Sequence, residues 1–247
     1  MDTRLEPLAA AGATRAAADV VAGLRLHEDV PADRPRAVGV MIASADGRAA
    51  VRGRSVPLGH PADRALLRSL RAAVDAVVVG TRTLAAERYA NLLDRDQREA
   101  RVAAGRPALP EIVTISRAAT IPLEVPLFAE PDATVHVYSA IEAEVPSAGA
   151  TVHVHALRPL TLRRVLEHLR RQVGIEAVSC EGGPTLLRAA IEEGLLDDLL
   201  LTVAPLLVAG DEPAALAGPE LSPAVRLALE DVHRADSHLF CHYRVQR

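Results

Sequence analysis

Residues 178–187, VSCEGGPTLL, place an acid and two glycines between a predicted strand and a predicted helix. If the strand ends at Cys180 and the helix begins at Pro184, Gly182 and Gly183 lie at the carboxyl edge of a sheet, where α/β proteins bind ligands. Glycines there let a pyrophosphate approach the backbone, and the amides of the helix N-terminus attract it. A plain tight turn is the alternative, and the motif alone leaves both interpretations open.

Strands and helices alternate along most of the chain. Apolar or alternating runs predict strands at 37–44, 75–80, 111–117, 133–139, 175–180, 195–210, 224–235 and 238–245. Helical spacing or composition predicts helices at 61–74, 81–89, 160–174 and 184–194, with an exposed helix within 93–110. Because the last three strands have no helices between them, the order predicts an α/β fold with a mixed, mostly parallel sheet covered by helices.

Composition excludes several classes of protein. The chain has 247 residues, 49% of them hydrophobic, and a net charge of −4, which suits a globular domain and argues against a nucleic-acid partner. All 28 basic residues are arginine, so lysine Schiff bases and Walker-type phosphate loops are excluded. Two cysteines and the lack of a membrane-length apolar segment predict a cytoplasmic protein without a membrane partner.

The chain divides into two predicted parts. Residues 1–34 contain an Ala-rich candidate helix near 14–26 and then a PADRPR linker, so we expect an N-terminal extension that packs on a main domain of residues 35–247. His153 and His155 lie on one face of a candidate strand, but no third ligand stands at metal spacing. The sequence therefore predicts no metal site.

Two acidic residues lie at predicted strand ends. Glu181 either caps the helix that follows or faces a pocket, where it would bind a substrate's donors or tune a proton transfer. Asp46 stands in an Asp-Gly pair, which is first of all a turn former. Both residues are candidate catalytic groups, and the residues alone leave these alternatives open.

Three blocks in order, SADGRAA at 44–50, LLRSLRAAVDAVVVGTRTL at 66–84 and VSCEGGPTLLRAAIEEGLLDDLLLTVAPLLVAG at 178–210, resemble the pyrimidine reductase domain of riboflavin biosynthesis. That family is dihydrofolate-reductase-like, and the resemblance covers about residues 36–245. It implies a three-layer fold, a homodimer, and NADPH-dependent reduction of the ribose of a 5-amino-6-(5-phosphoribosylamino)uracil-type pyrimidine. The zinc-deaminase half of bifunctional relatives has no counterpart here, because the His-x-Glu and Pro-Cys-x-x-Cys motifs are lacking.

The resemblance also implies residue roles. The cofactor-binding residues would be Ser44, Gly80, Thr81, Thr83, Glu87, Ser116, Arg117, Gly182, Gly183, Pro184, Thr185 and Leu186. The substrate-binding residues would be Ser55, Arg71, Asn91 and Glu181. Ser116 and Arg117 would hold the 2′-phosphate of NADPH. Hydride would pass directly to the substrate, with a proton from water or a pocket carboxylate such as Asp46.

Two departures from the family pattern fall on the substrate side. The family has a large residue near Pro57, and its Asp-Pro-x-Leu is replaced here by ERYANL at 87–92. Two alternatives to the pyrimidine reductase therefore stay open: reduction of dihydrofolate or another pterin, and a pterin- or nucleotide-binding protein without catalysis.

Overall fold

The computed structural model describes residues 14–90, 92–146 and 149–246. The strands are β1 Arg36–Ser44, β2 Ala76–Val78, β3 Glu111–Ile115, β4 Thr134–Ser139, β5 Thr151–Ala156, β6 Ala177–Cys180, β7 Asp198–Ala204, β8 Leu227–Ala235 and β9 His238–Val245. The helices are α1 Ala17–Ala22, α2 Pro61–Ala73, α3 Thr81–Glu87, α4 Arg95–Ala103, α5 Leu162–His168 and α6 Pro184–Glu192. A π-helical turn, Leu169–Val173, extends α5, and two 3-10 turns lie at Val56–Leu58 and Pro126–Ala129.

The described strands form one nine-stranded sheet in the order β5-β4-β3-β2-β6-β1-β7-β9-β8. All pairs from β5 to β7 are parallel, and β9 and β8 add antiparallel strands at one edge. Helices cover both faces. Leu70 of α2 and Leu84 of α3 pack into the core on one face, and Leu166 of α5 and Leu187 of α6 pack into the core on the other. The predicted α/β fold with a mixed, mostly parallel sheet is confirmed.

Some element bounds differ from the sequence prediction. Strand β7 ends at Ala204, because Pro205 follows and lacks the amide hydrogen that would continue the ladder. Helix α1 spans Ala17–Ala22, shorter than the predicted helix at 14–26. Helix α6 ends at Glu192, and Gly194, two residues later, has a φ of +65°, a left-handed conformation typical after a helix C-terminus.

The segment before β1 packs on the sheet where the structure describes it. Val21, Leu24 and Leu26 are buried in the same core as Leu70. Residues 1–13 of the expected extension lie outside the described residues, and the division of the chain at residue 34 stays a prediction. Among the described helices, none has the length and apolar character needed to cross a membrane.

Candidate active site

The double glycine lies where β6 meets α6, at the carboxyl edge of the sheet. The Glu181 amide donates to the Val78 carbonyl at 2.9 Å, and the Gly80 amide donates to the Gly182 carbonyl at 2.8 Å. The peptide bond between Gly182 and Gly183 is cis. These backbone bonds hold the ends of β2 and β6 side by side, so that the turns leading into α3 and α6 are adjacent.

The structure favours glycine at positions 182 and 183 for different reasons. Gly182 has a φ of +78°, a left-handed conformation that other residues rarely adopt, so the turn itself favours glycine there. Gly183 has a φ of −66°, which any residue can adopt. Apart from atoms of its neighbours along the chain, a Cβ added at Gly183 would meet Thr83 Oγ1, at 3.1 Å. The turn explains Gly182, whereas at Gly183 the Thr83 side chain lies close to where a Cβ would stand.

The N-terminus of α6 has the properties of an anion site. Gly183 is its N-cap, and no side chain caps this helix in the described structure. The first amides of a helix have no partner within the helix, and the helix dipole makes this end positive. Pro184 fits the first helical position because its missing amide hydrogen is not needed there.

A cleft of about 1200 Å³ opens at this edge of the sheet. Its volume exceeds the roughly 300–1,000 Å³ usual for one small ligand, so it can hold two. Twelve of the predicted site residues line it: Gly80, Thr81, Thr83, Glu87, Arg117, Gly183, Pro184, Thr185 and Leu186 on the expected cofactor side, and Ser55, Arg71 and Glu181 on the expected substrate side. Their predicted roles remain proposals, but the fold brings these residues to one cavity.

Other predicted site residues do not line this cleft. Ser116 Oγ donates to the Thr120 carbonyl at 2.8 Å, which ties the serine to its own turn, while the neighbouring Arg117 is exposed and lines the cleft. Gly182 does not line the cleft, and its carbonyl accepts a hydrogen bond from the Gly80 amide. Asn91 lies outside the described residues.

Ser44 and Asp46 form a local network outside the cleft lining. Ser44 Oγ donates to Asp46 at 2.5 Å, and the carboxylate also accepts from the amides of Val208 and Ala209 at 3.0 and 2.7 Å. These hydrogen bonds lower the pKa of Asp46 to about 2. A carboxyl group with that pKa is ionised at neutral pH and has no proton to donate, so its contacts support tethering of the loop after β7 rather than acid catalysis.

Glu181 is the centre of a buried cluster in the cleft wall. Its carboxylate accepts from Arg71 Nε at 2.8 Å, from Arg71 Nη2 at 2.6 Å and from the Tyr89 hydroxyl at 2.6 Å. Ser179 Oγ adds a longer contact at 3.3 Å. The Arg71 guanidinium also lies over the Tyr89 ring, 4.9 Å from its centroid. A bidentate arginine and a phenol thus fix this carboxylate in one orientation.

The cluster changes the role expected of Glu181. Its side chain is only 3% exposed and its oxygens are occupied by protein donors, so little acceptor capacity is left for a substrate. Arg71 Nη1, by contrast, takes no part in the hydrogen bonds that hold Glu181. Arg71 lines the cleft, and Glu181 positions it there. The group available to an anionic or carbonyl ligand is therefore the guanidinium.

Electrostatics keep the cluster in one protonation state. Burial lowers the pKa of Arg71, but the charge and hydrogen bonds of Glu181, together with Tyr89, outweigh burial and raise the pKa overall. Burial raises the pKa of Tyr89 well above its ordinary value, and the Glu181 charge adds to this effect. Arg71 stays charged and Tyr89 stays protonated at neutral pH, so Tyr89 remains a hydrogen-bond donor.

Ser55 and Glu87 form a second contact across the cleft. The amide and hydroxyl of Ser55 both donate to Glu87 Oε1, at 3.1 and 2.8 Å. The family resemblance implies that Ser55 lies on the substrate side and Glu87 on the cofactor side. Their hydrogen bonds join the loop before α2 to the end of α3, so the two sides meet at this pair.

Tyr89 and Asp63 are two of the cleft-lining residues that sequence reasoning did not name as site residues. Tyr89 belongs to ERYANL, the segment that departs from the family pattern, and this departure was the available signal. Asp63 precedes Arg71 by eight residues on α2, and residues i and i+4 lie on one face of a helix. Asp63, Leu67 and Arg71 therefore share a face, which the spacing could have indicated.

His153 and His155 belong to a packed histidine cluster. The ring nitrogens His136 Nδ1 and His155 Nε2 lie 2.8 Å apart, and His136 Nε2 lies 2.6 Å from Glu111. Burial, with the positive charge of neighbouring histidines, lowers the pKa of His155 to about 4. Across the described residues, no group of three or more His, Cys, Asp or Glu has a metal-binding arrangement.

Fold and cleft together define an α/β protein with a large ligand site at the carboxyl edge of its sheet. Residues 38–240 match the family model described as the RibD C-terminal domain, and the chain belongs to this family. The resemblance to pyrimidine reductases of riboflavin biosynthesis is confirmed.

Individual relatives agree with this family. A 2,5-diamino-6-ribosylamino-4(3H)-pyrimidinone 5′-phosphate reductase from Archaeoglobus fulgidus is 26% identical over 201 residues, 78% of this chain and 91% of the relative. A pyrimidine reductase-like protein from Corynebacterium diphtheriae has a TM-score of 0.75 and 25% identity, covering 94% of this chain and 100% of that one. The predicted class of enzyme, a reductase, is confirmed.

A bifunctional protein shares the fold. The diaminohydroxyphosphoribosylaminopyrimidine deaminase/5-amino-6-(5-phosphoribosylamino)uracil reductase of Thermotoga maritima has a TM-score of 0.67 at 19% identity. The match covers 86% of this chain but 57% of that protein. This chain therefore corresponds in fold to a part of the bifunctional protein.

Proposed function

We propose that this reductase uses NADPH to reduce the ribose of a 6-ribosylaminopyrimidine 5′-phosphate. The observation that carries the proposal is the shared cleft: the uncapped N-terminus of α6 and the Arg71–Glu181–Tyr89 cluster line one cavity. The first suits a pyrophosphate and the second suits a polar, anionic substrate. The similarity to the 2,5-diamino-6-ribosylamino-4(3H)-pyrimidinone 5′-phosphate reductase of Archaeoglobus fulgidus supports this class of substrate.

The cleft fits a dinucleotide cofactor. Gly183 leaves room for a phosphate beside Thr83, and the amides at the start of α6 would donate to it. Arg117 is exposed at the end of β3 and lines the same cleft, where its guanidinium would hold a 2′-phosphate and so favour NADPH over NADH. The bound nicotinamide would supply a hydride, and the chain's own residues would position both ligands.

The protein's part in the reaction is positioning and charge. Hydride adds to C1 of the ribose, the bond between C1 and the ring oxygen breaks, and that oxygen takes a proton to become a hydroxyl. Arg71, oriented by Glu181 and Tyr89, donates through Nη1 to a negative or carbonyl oxygen of the substrate. Because Asp46 is ionised and lies outside the cleft lining, water is the proton source in this proposal.

The test follows NADPH absorbance with two substrates separately. With a 6-ribosylaminopyrimidine 5′-phosphate we expect NADPH oxidation, and with dihydrofolate little or none. Comparable rates with dihydrofolate would support the pterin alternative instead. Cofactor binding without turnover of either compound would support a non-catalytic binding protein.

We also propose, from the family resemblance, a cytoplasmic homodimer. Leu227 and Leu229 on β8 are large apolar side chains exposed at the edge of the sheet, which a second copy could cover. Sedimentation equilibrium of the purified chain tests the homodimer, since a monomer across the accessible concentration range would contradict it.

A further inference from the structure

Asp63 is an acid in the cleft to which the proposed reaction gives no role. Its Oδ1 accepts a hydrogen bond from Thr202 Oγ1 at 2.7 Å. Within the described ranges, the structure gives no donor to Oδ2. Because Asp63 and Thr202 both line the cleft, an acceptor oxygen is available there to a ligand.

Apolar side chains line the cleft on the three elements that meet near Asp63 and Thr202. They are Val40 and Ile42 of β1, Leu66 and Leu67 of α2, and Leu200 of β7, with Ile42 paired to Thr202 in the sheet. A cleft wall that combines apolar side chains with a carboxylate suits a flat heteroaromatic ring with hydrogen-bond donors on one edge. Asp63 precedes Arg71 by eight residues of α2, which is about 12 Å along a helix axis. The two residues would thus contact different parts of one extended ligand.

The electrostatics of Asp63 also favour a ligand that brings donors. Burial raises the pKa of Asp63, while the Thr202 hydrogen bond and the charges of His238, Arg64 and His60 act in the opposite direction. The pKa stays raised, so these neighbours replace only part of the hydration that the carboxylate loses. N–H groups of a bound ligand would replace more of it and stabilise the ionised form.

We propose that Asp63 reads the substituent at C2 of the pyrimidine and selects a 2-amino-4-oxopyrimidine over the corresponding uracil. This inference rests on the proposed function and deepens it. A 2-amino-4-oxopyrimidine presents its ring N3–H and its exocyclic amino group side by side, and both can donate to one carboxylate. The uracil has an acceptor carbonyl at C2, which faces the carboxylate oxygen without a hydrogen between them. Such a site rejects the analogue because its own polar group is left unpaired.

Equilibrium binding separates this inference from catalysis. The probes are the two reduced compounds, 2,5-diamino-6-ribitylamino-4(3H)-pyrimidinone 5′-phosphate and 5-amino-6-ribitylaminouracil 5′-phosphate, titrated by calorimetry without cofactor. Wild type should bind the diamino compound about 10- to 100-fold more tightly, the usual effect of a charge-assisted hydrogen bond. Equal affinity for the two probes, or no binding of either, would overturn the inference.

The decisive variant is Asp63→Asn, which keeps the shape of the side chain. Its Oδ1 can still accept from Thr202, while Nδ2 replaces the free acceptor with a donor. The preference for the diamino compound should disappear or reverse. A preference equal to that of wild type would show that Asp63 does not read C2.

Asp96→Asn is the matched control, because Asp96 is an exposed acid in the first turn of α4 and does not line the cleft. It should keep the wild-type preference, and thermal melts of both variants check that they fold. Failure of the proposed function is separate. Preferential binding of the diamino probe without NADPH-dependent turnover of either ribosylamino substrate would contradict the reaction and leave the role of Asp63 supported.

Discussion

Replacing Gly183 with alanine separates a ligand role for this glycine from a turn role. The backbone of Gly183 has a φ of −66° and a ψ of −169°, which alanine adopts without strain. The added methyl would lie 3.1 Å from Thr83 Oγ1, so that side chain must shift by a few tenths of an ångström. Both residues line the cleft, and the methyl would occupy the space between them.

The expected effects on stability and on cofactor affinity differ in size. Alanine stabilises the protein relative to glycine by about 0.4–1 kcal/mol through the unfolded state, which offsets the tight contact with Thr83. The net change in unfolding free energy should stay within about 1 kcal/mol, or roughly 2–4 °C in Tm. If the methyl breaks one charge-assisted hydrogen bond to the pyrophosphate, the cost is about 1.5–3 kcal/mol. The NADPH dissociation constant should then rise by about 10- to 150-fold.

The assay is calorimetric NADPH titration beside thermal melts of three variants. Gly23→Ala is the matched control, because Gly23 also has a negative φ, of −61°, and one close contact, 3.2 Å from the Val20 carbonyl. Gly23 does not line the cleft, so its variant should bind NADPH as wild type does. Gly182→Ala should lose stability, because φ there is +78°. If Gly183→Ala binds NADPH like wild type, the cofactor does not approach this backbone, and the proposed pyrophosphate site is wrong.

Three further predictions concern single side chains. In binding titrations, Arg117→Ala should lower the affinity for NADPH about 10- to 100-fold and the affinity for NADH only a little. Equal losses would show that Arg117 does not contact the 2′-phosphate. Tyr89→Phe removes one donor to Glu181 and should raise KM for the pyrimidine substrate while NADPH affinity is kept, so an unchanged KM would contradict a positioning role. Burial acts to raise the pKa of Asp75, but hydrogen bonds from amides at the start of β6 and the charge of Arg106 lower it overall. The ionised carboxylate therefore stabilises the folded protein above the ordinary aspartate pKa, and this stabilisation is lost as pH falls through the folded-state pKa. Urea denaturation from about pH 7 to about pH 3 should therefore show a shallower decline for Asp75→Asn than for wild type, and parallel declines would refute this linkage.

Local signals predicted the part of the site that the backbone builds. The strand before Gly182 and the helix after Pro184 could be predicted because apolar spacing, glycine and proline act over a few neighbouring residues. The same kind of signal predicted that Gly80 ends a strand, and the pairing of β2 with β6 then brings it beside the double glycine. Parallel strands end at a common edge, so finding the strands was enough to find the cleft.

Side-chain partners could not be predicted in this way, because they come from distant parts of the chain. Glu181 lies 110 residues from Arg71 and 92 from Tyr89, and no local pattern records that their side chains meet. Asp46 was expected to be a catalytic candidate, yet it accepts from two amides more than 160 residues away. In each case the partners decide whether a carboxylate has free acceptor oxygens, and free oxygens decide whether it can contact a substrate.

The cofactor side of the cleft therefore depends mainly on backbone atoms, whereas the substrate side depends on particular side chains. On the cofactor side, the proposed contacts come from backbone amides at the start of α6, and a substitution at Gly183 changes the space that a phosphate occupies. On the substrate side, Asp63, Arg71 and Tyr89 project from α2 and from the end of α3, which Leu70 and Leu84 anchor in the core. Such side chains can be exchanged while the helices keep their packing. A chain can thus keep its cofactor site while the ERYANL segment changes the substrate side. The choice of pyrimidine therefore has to be inferred from the donors and acceptors of Asp63 and Arg71 rather than from the glycines.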